Sequence, residues 1–358
     1  MNRILALCMS PDQGGLELYF LKLVKYYQLK LNSNIHVACS EDSYISNQIS
    51  ENTIICKSKN ILKKFFILRK YINDNDINTI HVSWAKDLFL SVLLKKLSKK
   101  PIKLIFYRQM KLSRPKKDIY HKFIYRNIDH FLVITKKLYN ESCMHLPIDS
   151  SKIHLLTYGI EKPSENIIIA KEKFFNQSQL DASVFTIGVF SRIEEQKGQH
   201  LVLQAINKSN HNIQLCVIGH CMNHEYKNKL IKDIQLCRLN QKVKFIDFVN
   251  MPMTYMPCFD LVVLPTYEET FGLIVVEAMM MKVPVIGSNA GGVPEIITNK
   301  HNGLLFETKN YVDLQNKIDQ MIEDVQLRQK IIHNGYEHSI KYYDYDNHFK
   351  KLEKIINQ

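Results

Sequence analysis

The segment that decides the fold is residues 265–295, which read PTYEETFGLIVVEAMMMKVPVIGSNAGGVPE. It places Glu269 and Glu277 eight residues apart across a loop-to-helix junction, with Gly272 between them. A second strand then runs directly into the pair Gly291-Gly292. The free N–H groups and the dipole of a helix start bind phosphate, and carboxylates accept hydrogen bonds from hydroxyls. The segment therefore predicts a site for a ligand that carries phosphate and sugar hydroxyls together.

The junction itself suggests how each residue would act. Thr270 is the predicted N-cap of a helix over Gly272–Met281, and Gly272 would let a ligand approach the backbone closely. Glu277 has apolar neighbours on both sides, and a carboxylate in such company needs a partner. The alternative is a helix-end carboxylate and a salt-bridged glutamate without a ligand. We favour the ligand, because both ends of the motif fit one nucleotide-sugar.

Two loops elsewhere in the chain carry compatible chemistry. The loop SRIEEQKG, residues 191–198, follows the predicted strand TIGVF and brings Arg192 and Lys197 to the carboxyl end of that strand, where open α/β sheets bind ligands. Two cations at this position can neutralise a diphosphate, although lysine and arginine are common in such loops. The loop Pro11–Gly15 can present the backbone of Gly14 and Gly15 to a phosphate or sugar, with an ordinary tight turn as the alternative.

Short β-rich runs alternate with helical patterns along the whole chain, which predicts an α/β protein with parallel sheets covered on both sides. Two such series indicate two doubly wound domains facing a cleft, at residues 1–165 and 185–340, joined by a polar linker at 166–184. The predicted strands are Arg3–Met9, Ile35–Cys39, Thr53–Cys56, Thr79–Val82, Lys103–Tyr107, Phe131–Thr135, Ile153–Leu156, Phe185–Phe190, Ile213–Ile218, Val243–Ile246, Leu261–Leu264, Pro284–Gly287 and Leu304–Phe306.

Composition narrows the class of protein. The 358 residues contain 46% apolar side chains, no apolar run long enough to span a membrane, and eight cysteines without a Cys-x-x-Cys pair. We therefore expect two packed cores in a reducing compartment, the cytoplasm. We interpret the short apolar run at the N-terminus as a first strand and not as a signal peptide.

The formal net charge is +13, and fourteen lysines or arginines lie between Lys95 and Lys137. A solvated surface, a nucleic-acid footprint and a face for anionic lipid remain open as interpretations of this charge. In the segment Ile61–Ile72, ILKKFFILRKYI, one side of a helix carries Leu62, Phe65, Phe66, Arg69 and Ile72. For that side we favour core packing over lipid contact.

Together, these motifs resemble those of the retaining GT-B glycosyltransferases of the glycosyltransferase family 4 type. The matching motifs are Glu-x7-Glu at Glu269 and Glu277, Arg-x4-Lys-Gly at Arg192, Lys197 and Gly198, the Gly14-Gly15 loop, GGVPE at Gly291–Glu295 and NGLLF at Asn302–Phe306. The resemblance spans nearly the whole chain and is most specific in the second half. It implies the GT-B fold, with two Rossmann-like domains, and a final helix at 341–358 that returns to the first domain.

The resemblance also implies roles for single residues. Glu269 would contact hydroxyls of the donor sugar and Glu277 the ribose, while Arg192 and Lys197 would hold the diphosphate. Further residues complete the implied donor site. They are Thr270, the amides of Phe271, Gly272 and Leu273, and a loop at Phe248-Val249 that would flank the base.

One departure from the family concerns a histidine that often follows the fifth strand. This chain has Arg108 and Gln109 there, and neither is a general base at neutral pH. His81, at the end of an earlier strand, is a further candidate for the acceptor side, although a lone histidine is more often structural. We predict no catalytic metal and no cofactor, with a nucleoside-diphosphate-sugar as co-substrate and Arg192 and Lys197 supplying the positive charge.

The resulting expectation is a retaining, metal-independent hexosyl or N-acetylhexosaminyl transferase. Its acceptor would be a glycan or lipid-linked glycan of a bacterial surface polysaccharide, such as lipopolysaccharide or capsule. Peripheral contact with an anionic membrane, at the inner face of the cytoplasmic membrane, would accompany this activity. A GT-B epimerase or phosphorylase is the nearest alternative. A basic nucleic-acid-binding protein is the alternative of another class, and we expect no nucleic-acid partner because no aromatic-basic interleaving stands out.

Overall fold

The computed structural model describes residues 3–30, 35–49 and 51–358, which form two compact units. The first unit comprises Met1–Thr157 and Asp346–Gln358, and the second comprises Tyr158–Tyr345. The expected linker, 166–184, lies within the second unit. Its polar sequence contains a helix with the buried side chains of Phe174 and Phe175, and Phe174 packs edge-on against Phe259 with 5.2 Å between ring centroids.

The first unit is built on one parallel sheet, as the alternating pattern predicts. In the described part of the chain its order is β3-β2-β1-β4-β5-β6-β7. The strands are β1 (Ile4–Cys8), β2 (Ile35–Ser40), β3 (Thr53–Cys56), β4 (Thr79–Val82), β5 (Lys103–Arg108), β6 (His130–Val133) and β7 (Ile153–Leu155). The helices are α1 (Gly15–Lys30), α2 (Ile61–Asp74), α3 (Leu88–Leu97), α4 (Ile119–Arg126) and α5 (Lys136–His145). The central strands are fully buried because helices cover both faces.

Helix α2 corrects one expectation. Phe65, Leu68 and Ile72 pack into the core, but Leu62 and Phe66 are 62% and 63% exposed. The predicted core packing is therefore confirmed for Phe65 and Ile72 and wrong for Leu62 and Phe66. The buried residues repeat at intervals of three and four, and Leu62 and Phe66 lie outside that stripe.

The second unit is a parallel sheet with the order β10-β9-β8-β11-β12-β13 in the described residues. Its strands are β8 (Phe185–Phe190), β9 (Ile213–Ile218), β10 (Val243–Ile246), β11 (Leu261–Leu264), β12 (Val285–Ser288) and β13 (Leu304–Phe306). Its helices are α6 (Lys171–Ser178), α7 (Gln199–Lys208), α8 (His224–Leu236), α9 (Leu273–Met280), α10 (Val293–Ile296), α11 (Tyr311–Glu323) and α12 (Val325–Tyr342). The strand order reverses between β8 and β11, so the carboxyl ends of these two strands form the switch point at which such sheets bind ligands.

The last helix, α13 (Tyr345–Ile356), packs on α1 in the first unit. Phe349 stacks on Tyr26 with 4.3 Å between ring centroids, and His348 Nε2 lies 2.8 Å from the Tyr19 hydroxyl. His348 Nδ1 donates to the carbonyl of Thr157 at 2.6 Å, beside the point where the chain leaves the first unit.

The first and last segments of the second unit are also joined by backbone pairing. Ile160 N–H donates to the carbonyl of Tyr343 at 2.8 Å, and Ile160 forms a parallel bridge with Asp344. Among the described residues, no helix is both long enough and apolar enough to cross a membrane.

Candidate functional site

The candidate site of the second unit is built from the loops that follow β8 and β11. These strands are direct neighbours, with Leu261 paired to Ile187 and Val262 to Gly188. Because both strands run in the same direction, both loops leave the sheet at the same edge. The sheet therefore brings together two segments, 191–198 and 265–272, that are about 70 residues apart in the chain.

A glycine allows the loop 191–198 to pack closely against the loop 265–272. Gly198 has φ +70°, and a Cβ atom there would lie 2.2 Å from the carbonyl oxygen of Pro265, so only glycine fits. The backbone carbonyl of Gln196 accepts hydrogen bonds from Tyr267 N–H at 2.9 Å and from the Thr266 hydroxyl at 3.2 Å. These contacts fix the position of Lys197, which lies between Gln196 and Gly198.

The two loops meet in an ion pair between the predicted residues Lys197 and Glu269. Lys197 Nζ lies 2.9 Å from Glu269 Oε2, and both side chains are largely buried, with 18% and 28% exposed. Solvent screens such a partly buried pair less than it screens a surface pair. Arg192 pairs with Glu194 on its own loop, at 3.0 Å, and is 57% exposed. Glu194 was missed by the sequence analysis, although its i, i+2 spacing from Arg192 allows the pair.

The start of α9 differs from the expectation in one respect. Gly272, with φ +104°, is the N-cap and offers no side-chain hydrogen bond, so the prediction that Thr270 is the cap is wrong. Only a residue that tolerates a positive φ can turn the chain into the helix here. In the described part of the chain, no acceptor receives the N–H groups of Phe271, Gly272 or Leu273. These donors, and the positive end of the helix dipole, form an anion site.

Aromatic packing anchors this helix start. The ring of Phe271 is buried and lies edge-on to the rings of Tyr158 and Tyr343, with centroids 5.1 Å and 5.7 Å away. The side chain of Phe271 is therefore a structural anchor, and only its backbone is available to a ligand.

The Gly291-Gly292 turn after β12 holds the backbone of Glu269. Gly292 N–H donates to the carbonyl of Glu269 at 2.8 Å. Gly291 has φ +63°, and a Cβ atom there would lie 2.0 Å from the same oxygen. The turn thus approaches Glu269 more closely than any residue with a side chain could.

The remaining donor-site predictions lie in the same unit. Glu277 is half-buried on α9, one turn after Leu273, the first residue of that helix. Phe248 is half-exposed and Val249 is half-buried, on the loop that follows β10. Strand β10 is two positions from β8 in the sheet, so this loop leaves the same edge as the Lys197 loop.

The structure places four further predicted residues in the first unit. Helix α1 begins at Gly15, and the carbonyl of Gly14 accepts a hydrogen bond from Leu18 N–H at 3.0 Å. Arg108 is the last residue of β5, and it and Gln109 are both 6% exposed.

His81, the remaining candidate of the first unit, lies on β4 and has no exposed surface. Burial, and secondly the charge of His348, lower its pKa to about 3, so the ring is neutral at ordinary pH. Neither ring nitrogen has a hydrogen-bond partner among the described residues. Because the ring has no exposed surface, the placement favours a structural role over contact with an acceptor.

No group of three or more His, Cys, Asp or Glu side chains in the described residues has the arrangement of a metal site. Asp76, in the sequence Asp-Asn-Asp at 74–76 that resembles a metal-binding Asp-x-Asp, pairs with Arg3 at 3.5 Å and with Lys100.

Comparisons with known proteins add independent findings. Residues 170–338 match the family model described as Glycosyl transferases group 1. The chain is 24% identical over 351 residues to the capsular polysaccharide biosynthesis glycosyltransferase CapM of Staphylococcus aureus, covering 92% of this chain and 90% of that protein. It is 29% identical over 181 residues to the O-antigen biosynthesis glycosyltransferase WclY of Escherichia coli, covering 50% and 48%. The crystal structure of Anabaena HepE in complex with UDP-glucose superposes with a TM-score of 0.84 at 20% identity, covering 99% of both chains.

Proposed function

Because this chain is a glycosyltransferase that carries the Glycosyl transferases group 1 domain at residues 170–338, we propose that it transfers a sugar with retention from a nucleoside-diphosphate-sugar to a hydroxyl acceptor. The family resemblance and the GT-B fold expected from the sequence are confirmed. The observation that carries the proposal is the Lys197–Glu269 pair beside the open start of α9.

The leaving group explains why these residues would be needed. Negative charge grows on the diphosphate as the bond to the sugar breaks, and fixed positive charge stabilises that transition state. In the proposed site, Lys197 and the N–H groups at the start of α9 contact the diphosphate. Glu269 keeps Lys197 in place and can accept a hydrogen bond from a sugar hydroxyl. Arg192, on the exposed rim of the same loop, adds a second cation.

Retention follows if the departing diphosphate itself takes the proton from the acceptor hydroxyl on the same face of the sugar. This step needs no carboxylate nucleophile, in agreement with the engagement of Glu269 by Lys197. Analysis of the product by NMR checks the proposal, because an inverted anomeric centre would contradict it.

We also propose that no metal takes part, so that turnover should be unchanged by EDTA.

The site assignment can be tested with Lys197→Met, which removes the charge and keeps the length of the side chain. We expect kcat/KM to fall about 100-fold or more, as for loss of one group that stabilises an oxyanion. Lys208→Met, an exposed lysine at the end of α7, is the matched control and should leave kcat/KM unchanged. Equal rates for Lys197→Met and the wild type would rule out this role.

The donor base and sugar can be identified by thermal shift. A ligand that binds the native state raises the melting temperature, so UDP-, GDP- and ADP-sugars can be compared directly. We propose that the second unit binds this donor and the first unit binds the acceptor. The names of CapM and WclY support an acceptor in surface polysaccharide synthesis. If no donor raised the melting temperature, the proposed donor site would be wrong.

We further propose that the first unit contacts anionic membrane through α2 and α4. Leu62 and Phe66 on α2 are exposed next to Lys63 and Lys70, and Ile119 at the start of α4 is 86% exposed. Apolar side chains ringed by lysines suit the interface of an anionic bilayer, where both burial and charge contribute.

Co-sedimentation with vesicles of phosphatidylcholine and phosphatidylglycerol tests the membrane proposal. The double variant Leu62→Ser/Phe66→Ser should bind at least about tenfold more weakly, since binding scales with buried apolar area. Leu236→Ser, an exposed leucine at the end of α8 in the second unit, is the control. Unchanged binding of the double variant, or no binding of the wild type at low salt, would count against this contact.

A further inference from the structure

A buried cation without a counter-ion lies at the carboxyl end of β5. The Arg108 side chain is among the most buried charged groups of the first unit, with 6% of the residue exposed. One nitrogen, Nη2, donates to the carbonyl of Lys111 at 2.9 Å. The other two, Nε and Nη1, are buried and have no hydrogen-bond acceptor in the described part of the chain.

The neighbours of Arg108 add positive charge. Lys116 is half-buried on the loop between β5 and α4, and its N–H donates to the carbonyl of His145 at 2.9 Å, which ties the loop to α5. Burial, then the charges of Arg108 and Arg114, lower the pKa of Lys116 against the smaller opposing effect of Asp118, so Lys116 lies within electrostatic range of both arginines.

The acidic groups of this region do not neutralise the cluster. The carboxylate of Asp118 caps α4 and pairs with His121, at 2.5 Å between Oδ2 and Nδ1. Burial lowers the pKa of the Arg108 guanidinium, and Tyr125 and then Glu141, on α5, oppose this shift only through longer-range charge. Among the described residues, no carboxylate lies within 4.0 Å of Arg108.

This arrangement is unfavourable for stability alone. A buried charge is normally paired, or it loses its charge, and a guanidinium cannot be deprotonated in a protein. Nε and Nη1 of Arg108 are buried donor nitrogens without an acceptor, and hydrogen bonds within the described residues do not explain why they are there. An oxyanion that reaches Nε and Nη1 would satisfy these donors and compensate the charge together.

We propose that Arg108, with Lys116 and Arg114, binds a phosphoryl group carried by the acceptor. The proposal rests on the proposed function, in which the first unit receives the acceptor. A diphosphate that links a glycan to an isoprenoid and a phosphate on the glycan itself share this chemistry. In either case the group would anchor the acceptor through a part of the molecule that does not react.

The binding test uses inorganic pyrophosphate and isothermal titration calorimetry on the full chain. Because pyrophosphate also fits the donor site, the measurement is made in the Lys197→Met background. Binding should persist there and weaken about tenfold or more when Arg108→Gln is added, as for loss of hydrogen bonds to a charged group. Arg126→Gln, an exposed arginine on α4, is the matched control and should have no effect. Equal affinities with and without Arg108→Gln would overturn the proposal.

A stability measurement separates a binding arginine from a structural one. Arg108→Met removes an uncompensated buried charge, so its melting temperature without anion should equal or exceed that of the Lys197→Met background. Pyrophosphate should raise the melting temperature of the background and leave the Arg108→Met variant unchanged. A lower melting temperature for Arg108→Met, with no response of the background to pyrophosphate, would assign Arg108 a structural role and contradict the proposal.

Two probes distinguish the sources of the phosphoryl group. Geranyl diphosphate carries it on an isoprenoid, and glucose 6-phosphate carries it on a sugar. If geranyl diphosphate binds more tightly in an Arg108-dependent manner, the acceptor is lipid-linked. If glucose 6-phosphate does so, the acceptor is a phosphorylated glycan. These titrations do not depend on turnover or on the donor. Failure of the nucleotide-sugar thermal shift would therefore refute the proposed donor site separately from the anion site at Arg108.

Discussion

Gly291 shows how one residue without a side chain positions the glutamate of the candidate site. Its backbone has φ +63° and approaches the carbonyl of Glu269 so closely that a Cβ atom would lie 2.0 Å from the oxygen. A methyl group at this position must displace the loop that carries Glu269. The carboxylate would then lose its position beside Lys197, which depends on that loop.

We therefore expect Gly291→Ala to destabilise the second unit by about 2 kcal/mol and to reduce donor affinity, because both φ and the contact are unfavourable. Gly335→Ala is a comparison with a smaller expected loss. Its φ is helical, and its Cβ atom would lie 3.2 Å from the Asn302 carbonyl oxygen and from the flexible Met279 side chain, which need to shift by only a few tenths of an ångström. Thermal unfolding with and without the nucleotide-sugar measures both effects. Equal melting temperatures and affinities for Gly291→Ala and the wild type would contradict this account of the turn.

Asp87 gives the first unit a specific dependence on pH. Burial raises its pKa to about 7 from an ordinary value of 3.8, although Oδ2 accepts a hydrogen bond from Met9 N–H at 2.8 Å. Between these two values the folded state keeps a proton that the unfolded state has released. The contribution of Asp87 to the free energy of unfolding is therefore largest below about pH 4, falls as the pH rises and levels off above about pH 7.

Replacement of Asp87 by Asn should remove this dependence and keep the hydrogen bond to Met9. The variant should match the wild type near pH 4 and exceed it increasingly up to pH 7, by at most about 1.4 kcal/mol per pH unit. Trp84 is the single tryptophan of the chain and lies in the same unit, so its fluorescence follows the denaturation. Asp12→Asn, at an exposed position, is the control. A constant difference between variant and wild type across this range would show that Asp87 is not the group responsible.

At the level of elements, α13 completes the core of the first unit. Phe349 is 1% exposed, stacks on Tyr26 and lies parallel to Tyr19, with 6.2 Å between the centroids of the latter pair. Phe349→Ala should destabilise the first unit by about 3–5 kcal/mol, from lost burial and the cavity left behind. Phe66→Ala, where the ring is exposed on α2, should change stability by no more than about 0.5 kcal/mol. Denaturation followed by Trp84 fluorescence compares the two, and similar losses would contradict the assigned role of α13.

The strands were predictable because each is a short apolar run between turn residues. Thr53–Cys56, Phe185–Phe190 and Val243–Ile246 have the predicted bounds, and the parallel order follows from the alternation with helices. The linker was harder to predict, because the polar residues around α6 hide two buried phenylalanines. The exposure of Leu62 and Phe66 was also missed, because an apolar pattern does not show how wide a face the core covers.

The residue types of the candidate site could be predicted from the sequence, but the contacts between their side chains were harder to predict. The sequence predicted Lys197 at the carboxyl end of its strand and Glu269 beside a helix start, and the structure brings Lys197 Nζ to 2.9 Å from Glu269 Oε2. It did not reveal that Gly272 caps α9 or that Arg192 pairs with Glu194. Both depend on backbone angles and rotamers that residue spacing does not determine.

At the level of the whole molecule, two units with separate cores should respond differently to a donor. A nucleotide-sugar that binds the second unit stabilises that unit by mass action, by about 2.7 kcal/mol at a ligand concentration 100 times Kd. Trp84 reports only on the first unit. We expect a donor to raise the calorimetric transition of the second unit by more than it raises the Trp84 transition. Equal shifts of both transitions would show that the units unfold as one.

The return of α13 also has a consequence for the order in which the chain acquires its structure on the ribosome. The second unit is one continuous segment, Tyr158–Tyr345, inserted into the first. Its sequence is fully synthesised before Phe349 and the rest of α13 emerge. The amino-terminal half, although it is synthesised first, would thus keep the surface of α1 that contacts α13 uncovered until α13 has emerged.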